Sequence, residues 1–266
     1  LMVWETPRNE GLGLAHMKVL GGRWGAAVTR DVYEILNHSE DAAERGLPIY
    51  FVEPQRQVIY GGGDDARPFL DPTLCVREML LVRPETRQII FQRYDYELPL
   101  YGRIAEDAPL RMSQVTHAGL ITTGGPESLD FYDGVLGLKR ARHGHVSDDS
   151  DVASRNIFEL VPGQTYMSTD FDDPRSDPSD LSKVRSGRLK IIRFLTGPTI
   201  EDLTDRSRPG SLGLSLYTYR VRGIEDFHDR VSASDATGVT PILANEFGEQ
   251  SFSFVAPDGF WWTLLE

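Results

Sequence analysis

His117 heads the run Thr116-His117-Ala118-Gly119-Leu120-Ile121-Thr122-Thr123, where an imidazole can take a proton, donate one or ligate a metal. A divalent iron or zinc site needs roughly three imidazole or carboxylate donors, so His117 has to be judged by its company. His143 and His145 sit at i, i+2 and can chelate a metal from one face of a strand. Lys139, Arg140 and Arg142 surround them, which favours a solvated basic strand end. His16, within Leu14 to Leu20, can head a second strand, and a structural role is the better reading there. Asp170, Asp172, Asp173, Asp177 and Asp180 crowd a Pro- and Ser-rich stretch without the glycine and closing glutamate of a calcium loop, and read as a solvated loop. Gly61-Gly62-Gly63 runs into Asp64-Asp65 and lacks the Lys-Ser/Thr of a phosphate loop. Gly210-Ser211-Leu212-Gly213 misses the nucleophile elbow, and Cys75 has no local nucleophile signature. Tyr94, Tyr96 and Tyr101, with Asp95 and Glu97, read as linker surface, a pocket mouth being the alternative.

The elements that position His117 are legible. Residues 115–122 are compact and apolar with a β-branched residue at either end, a strand signal. Gly124-Gly125-Pro126 punctuates it, and proline suits the first turn of a helix. Leu129, Tyr132, Val135 and Leu136 then form one apolar stripe, Gly137 stands where a left-handed cap belongs, and Leu138 to His145 continues as a strand. The theme returns near the end. Leu214 to Val221 reads as a strand, Gly223 to Val231 as a short helix, and Gln250 to Val255, Pro257-Asp258-Gly259 and Phe260 to Leu265 as a hairpin.

These runs resemble the βαβββ module of the vicinal oxygen chelate superfamily, which contains glyoxalases, bleomycin-resistance proteins and extradiol dioxygenases. The resemblance implies an α+β fold in which paired βαβββ modules form a cupped mixed sheet with flanking helices, in two tandem domains. A paired-module domain is expected over residues 113–266 and a divergent one over residues 1–100. Residues 96–112, with Pro99, Gly102 and Pro109, are the expected linker. Within the first half, Leu1 to Trp4 looks like a strand, Ala42 to Phe51 like the helix-to-strand passage of a second module, and Arg77 to Val82 with Arg87 to Tyr94 like a closing hairpin.

In metal-binding relatives, residues of the first and last strands of each module point into the cup. His117 matches the first-strand histidine. The corresponding position of the last module falls on Leu216, and the closing-strand glutamate falls on Thr263. Strand 188–194 offers no carboxylate. No metal site and no cofactor is therefore expected, with a divalent metal as the open alternative. If Leu216 and Thr263 face the cup, alternation brings Thr218, Arg220 and Trp261 with them; a one-residue slip exchanges Leu216 for Tyr217 and Trp261 for Trp262. Such a pocket is apolar and aromatic, the character of a small-molecule site. The resemblance implies a protein acting on a small apolar or aromatic metabolite. Metal-independent, isomerase- or lyase-type proton transfer would use His117 as base and Arg220 as oxyanion partner. Sequestration of the bleomycin-resistance type is the alternative, and metal-dependent extradiol cleavage the second.

Composition excludes other classes. The chain has 266 residues, a net charge of −12 and a pI near 5.0, which disfavours nucleic acid and anionic membranes as partners. No apolar run approaches the roughly 18 residues of a membrane span. The lone Cys75 allows no internal disulfide, which fits a reducing, cytoplasmic setting. The expected partner is a small molecule, with a homodimer compatible.

Overall fold

The computed structural model describes residues 11–12, 15–58, 75–94, 96–147 and 152–266. Leu1 to Trp4 and Gly61-Gly62-Gly63 lie outside them. Three βαβββ modules follow one another. Module one comprises β1 (Gly21–Val28), α1 (Val32–Glu44), β2 (Tyr50–Val58), β3 (Cys75–Arg83) and β4 (Thr86–Tyr94). Module two comprises β5 (His117–Ile121), β6 (Lys139–Ser147), α2 (Val152–Ile157), β7 (Thr165–Asp172) and β8 (Arg188–Phe194). Module three comprises β9 (Tyr217–Arg220), α3 (Ile224–Ser232), β10 (Leu243–Ala244), β11 (Gln250–Val255) and β12 (Trp261–Leu265).

Local chemistry sets these boundaries. Asp31 caps α1 by accepting from the backbone N–H groups of Tyr33 and Glu34. In module two the expected helix is a 3-10 turn, Pro126–Leu129, running into a π-type turn, Phe131–Val135. It still buries Leu129, Phe131, Tyr132 and Leu136, and Gly137 closes it at φ 71°. The Pro257-Asp258-Gly259 turn joins β11 to β12 as expected.

An eight-stranded mixed sheet runs β2-β3-β4-β1-β5-β8-β7-β6, and a four-stranded sheet runs β10-β11-β12-β9. The first strands of modules one and two, β1 and β5, meet antiparallel at the centre of the larger sheet, with Ala26 opposite His117 and Trp24 opposite Gly119. A side chain at position 119 would collide with Trp24: a Cβ there would stand 1.8 Å from Trp24 Cε2. The indole ring occupies the space above Gly119.

This pairing differs from the expected one. The strand of His117 joins residues 21–28, not 217–220, so the sheet crosses residues 96–112 without a break between the expected domains at 1–100 and 113–266. Module one alone spans the described part of the first half, and residues 42–51 are its own α1-to-β2 passage. His16 heads no strand; it is exposed in irregular chain, 3.4 Å from Glu201.

Among the described residues three apolar clusters fill the layers. Val32 and Ile35 of α1 pack on Met79 and Ile90, behind module one. The cup face of the large sheet carries Trp24, Leu80, Phe91, Ile121, Tyr166 and Ile192, with Tyr101 and Phe158 packed among them. The opposite face of module two, with Leu120, Tyr132, Phe171 and Ile191, packs on Tyr217, Ile224, Phe252, Phe254 and Trp262 of module three. Among the described residues no helix is long and apolar enough to cross a membrane.

Candidate functional site

Alternation along β5 sends His117, Gly119 and Ile121 to the cup and Ala118 and Leu120 to module three. The same rule puts Arg188 and Lys190 of β8, and Asp170 and Asp172 of β7, on the cup side with His117. His117 Nδ1 lies 2.9 Å from Tyr101 Oη and 3.2 Å from Thr116 Oγ1. The rings of Phe91 and Tyr101 flank the imidazole, with centroids 6.1 and 6.4 Å away. Arg188 forms a two-pronged contact with Asp172, its Nη2 donating over 3.1 Å, and its Nη1 stands 3.4 Å from Asp170. Its guanidinium covers the Tyr101 ring at 5.5 Å. Arg93 approaches the same ring at 5.4 Å and donates to the Tyr101 carbonyl over 2.7 Å.

Electrostatics fixes the protonation states. Burial, then the neighbouring cations Lys190 and Arg188, hold the His117 pKa down to about 3, so the imidazole is neutral at physiological pH. Burial pushes the Tyr101 phenol up to about 12. Burial disfavours the Arg188 cation, but Tyr101, Asp170 and Asp172 outweigh it and keep the guanidinium charged.

These surroundings do not fit a divalent metal. Among the described residues no three His, Cys, Asp or Glu side chains come together in a metal-holding group. Asp170 and Asp172, on the same face as His117, are engaged by Arg188, and Lys190 and Arg93 add positive charge beside the imidazole, which disfavours a dication there.

The other expected site residues lie elsewhere. Leu216, Thr218 and Arg220 are exposed, while Tyr217 and Tyr219 point at module two and donate to the carbonyls of Gly119 and Gly187 over 2.8 and 3.1 Å. Thr218 stands opposite Thr263 in the β9–β12 ladder, and Ser253 and Thr263 hydroxyls are 2.8 Å apart. Trp262 is buried and Trp261 half-buried. Thr218, Arg220, Trp261 and Thr263 therefore share the open face of the small sheet, in the unslipped register. His117 is not among them. Arg220 pairs with Glu249 on that open face, and the whole thickness of module three separates it from module two.

Tyr101, Arg188, Asp170 and Asp172 are the site residues that sequence reasoning misses. Tyr101 reads as linker surface yet is 5 % exposed, and Asp170 and Asp172 read as loop yet are buried in β7. The signal was there in Asp170-x-Asp172 and Arg188-x-Lys190, two like-charged pairs at strand spacing on neighbouring strands. His143 and His145 are exposed on β6, His143 bonding Thr169 Oγ1 at 2.7 Å.

The profile of the Glyoxalase/Bleomycin resistance protein/Dioxygenase superfamily matches residues 114–264, more than half of the chain. A search of curated protein sequences finds no match. Among solved structures, a glyoxalase family protein from Bacillus cereus is similar at 21% identity and TM-score 0.45, over 61% of this chain and 97% of its own. Glyoxalase I from Zea mays is similar at 14% identity and TM-score 0.48, over 92% of this chain and 67% of its own. A putative dioxygenase from Bacillus subtilis is similar at 14% identity and TM-score 0.47, over 93% of this chain and 63% of its own.

Proposed function

This chain belongs to the glyoxalase/bleomycin resistance protein/dioxygenase superfamily, and we propose that it binds a small metabolite bearing an anionic oxygen on an apolar or aromatic body. The ligand sits in the cup of modules one and two, against His117, without a ligated metal. The observation that carries this reading is the company of His117: Tyr101 and Phe91 flank its ring, and Lys190 and Arg93 add positive charge to that of Arg188, which Asp170 and Asp172 engage. Aromatic walls favour a planar or apolar body, and partly buried cations favour an oxyanion.

Sequestration is better supported than proton transfer. A general base works best with a pKa near the operating pH, and His117 is held near 3. Arg220, expected as its oxyanion partner, faces away on another sheet. A neutral imidazole serves instead as a hydrogen-bonding group that orients a bound oxygen.

The test is thermal stabilisation of EDTA-treated protein by benzoate and 2-hydroxybenzoate, with benzyl alcohol as the uncharged comparison. The carboxylates should raise Tm and the alcohol should not, and His117→Gln and Lys190→Met should each weaken the effect. Stabilisation that vanishes on chelation and returns with iron or zinc would overturn the metal-free reading. Turnover of a ligand without added metal, lost in His117→Gln, would favour proton transfer over sequestration.

A further inference from the structure

Between α2 and β7 the chain of module two crosses into module one and fills part of the cup. Asn156 donates to the Gln55 side chain of β2 over 3.0 Å. Ile157, Phe158 and Leu160 are buried, and the Phe158 ring lies 5.3 Å from that of Trp24, edge to face, and 5.2 Å from that of Tyr166. Glu159, among them, has one donor on each carboxylate oxygen: Arg87 Nη1 on Oε1 and the backbone N–H of Met17 on Oε2, each at 3.3 Å. Lys18 donates to the Glu159 carbonyl over 2.8 Å. Arg87 precedes Phe91 by four residues on β4, roughly 13 Å along the strand, so this group lies toward the other end of the cup from His117.

We propose that Phe158 and Glu159 stand in for a ligand, and that a small aryl carboxylate binds here by displacing them. Its ring takes the place of Phe158 against Trp24, and its carboxylate that of Glu159 on Arg87 and the Met17 amide. This inference does not rest on the ligand proposed at His117.

Three observations carry it. The cations outnumber the carboxylate. Arg23 and Arg87 are 2 % and 4 % exposed, and among the described residues Arg23 makes no ion pair while Arg87 makes one, to Glu159 through a single nitrogen. Their other contacts are to the carbonyls of Leu12, Ala15 and His16. Burial, then Arg87, lowers the Arg23 pKa to about 9, and burial lowers that of Arg87, as a shortage of negative charge requires. The occupant also fits imperfectly. Among the described residues the buried Nε atoms of Arg23 and Arg87 and the buried Nε2 of Gln164 have no acceptor, whereas a free carboxylate can turn to meet a guanidinium fork with both oxygens. Glu159 holds its place at φ 55°, a left-handed backbone that costs a non-glycine residue energy. Finally, the group reaches solvent. The Glu159 side chain is 31 % exposed, and Val161, Pro162 and Gly163 after it are exposed, with Gly163 at φ 77° as a hinge outside the core.

The experiment is thermal unfolding and hydrogen exchange of the full chain with 4-phenylbutyrate, and with 4-phenylbutanol as the uncharged comparison. The carboxylate should raise Tm and speed exchange at amides 158–160, of which Leu160 donates to the Arg155 carbonyl, and the alcohol should do neither. Glu159→Gln removes the competing charge at nearly constant size and should bind the carboxylate about tenfold more tightly. Adding Arg87→Lys keeps a cation but loses the fork, and should undo that gain. Failure of both the parent and Glu159→Gln to bind overturns the proposal. So does equal binding of the alcohol, or a double variant that binds as tightly as Glu159→Gln. Binding that leaves amides 158–160 unchanged and is lost in His117→Gln would put the carboxylate against His117, and would overturn this inference alone.

Discussion

The 2.9 Å contact between His117 Nδ1 and Tyr101 Oη joins a strand of module two to the segment that connects it with module one. Tyr101 is thus held in the cup by the imidazole on one side and by Arg93, which donates to its carbonyl, on the other. Tyr101→Phe removes one partly buried hydrogen bond and should cost roughly 0.5–1.5 kcal/mol of stability. The side-chain 15N shifts of His117 should move with it. Unchanged shifts would mean that the phenol does not hold the imidazole.

Acid should attack the fold through His117. Its folded pKa of about 3 lies below the ordinary value of 6.5, so the unfolded chain binds the proton more readily. The stability this group contributes is full above pH 6.5 and is lost as pH falls toward 3, on the order of 1 kcal/mol per pH unit. His117→Gln should flatten this part of the urea-unfolding pH profile. Parallel profiles for the two proteins would count against a buried, neutral imidazole.

Asp258 should act with the opposite sign. Burial raises its carboxyl to about 6 from 3.8, although the Tyr132 hydroxyl donates to it over 2.5 Å. A raised carboxyl pKa favours folding below pH 3.8, and that contribution is lost as pH rises to 6. The difference in stability between Asp258→Asn and the parent should therefore grow in favour of the variant across that window. A constant difference would refute the shift.

Arg188 is shared between two carboxylates. Arg188→Met takes the two-pronged contact from the buried Asp172 carboxylate beside the cup and should destabilise the protein by about 3–5 kcal/mol. Adding Asp170→Asn and Asp172→Asn should recover part of that loss, because the two buried carboxylate charges on β7 are then removed. A triple variant no more stable than Arg188→Met would show that packing, rather than charge, sets the cost.

The βαβββ rhythm was legible wherever apolar periodicity and turn residues agreed, as at 115–145 and 214–265. The partner of each module was not. Two modules with equally apolar first strands can pair in more than one way, and the fit at the seam is steric: Gly119 leaves room for Trp24 there. That match involves residues 95 positions apart and no local signal marks it. The open-face set Thr218, Arg220, Trp261 and Thr263 followed from strand alternation alone, which needs no partner. The cup cluster escaped because its members come from four separate segments, and because Asp170 and Asp172 resemble the solvated aspartates just beyond them. A charged strand reads as loop until its counter-ion is found on the neighbouring strand.

Leu120 and Ile121 are joined by one peptide bond, yet Leu120 belongs to the core shared with module three and Ile121 to the cup shared with module one. Module two has no face of its own to lose. Melting either outer module strips one side of β5, and the other side cannot keep the strand in register by itself. Excising residues 117–194 as a minimal fragment would leave both of its faces bare, and heat should dissolve the three modules in a single cooperative transition rather than one after another.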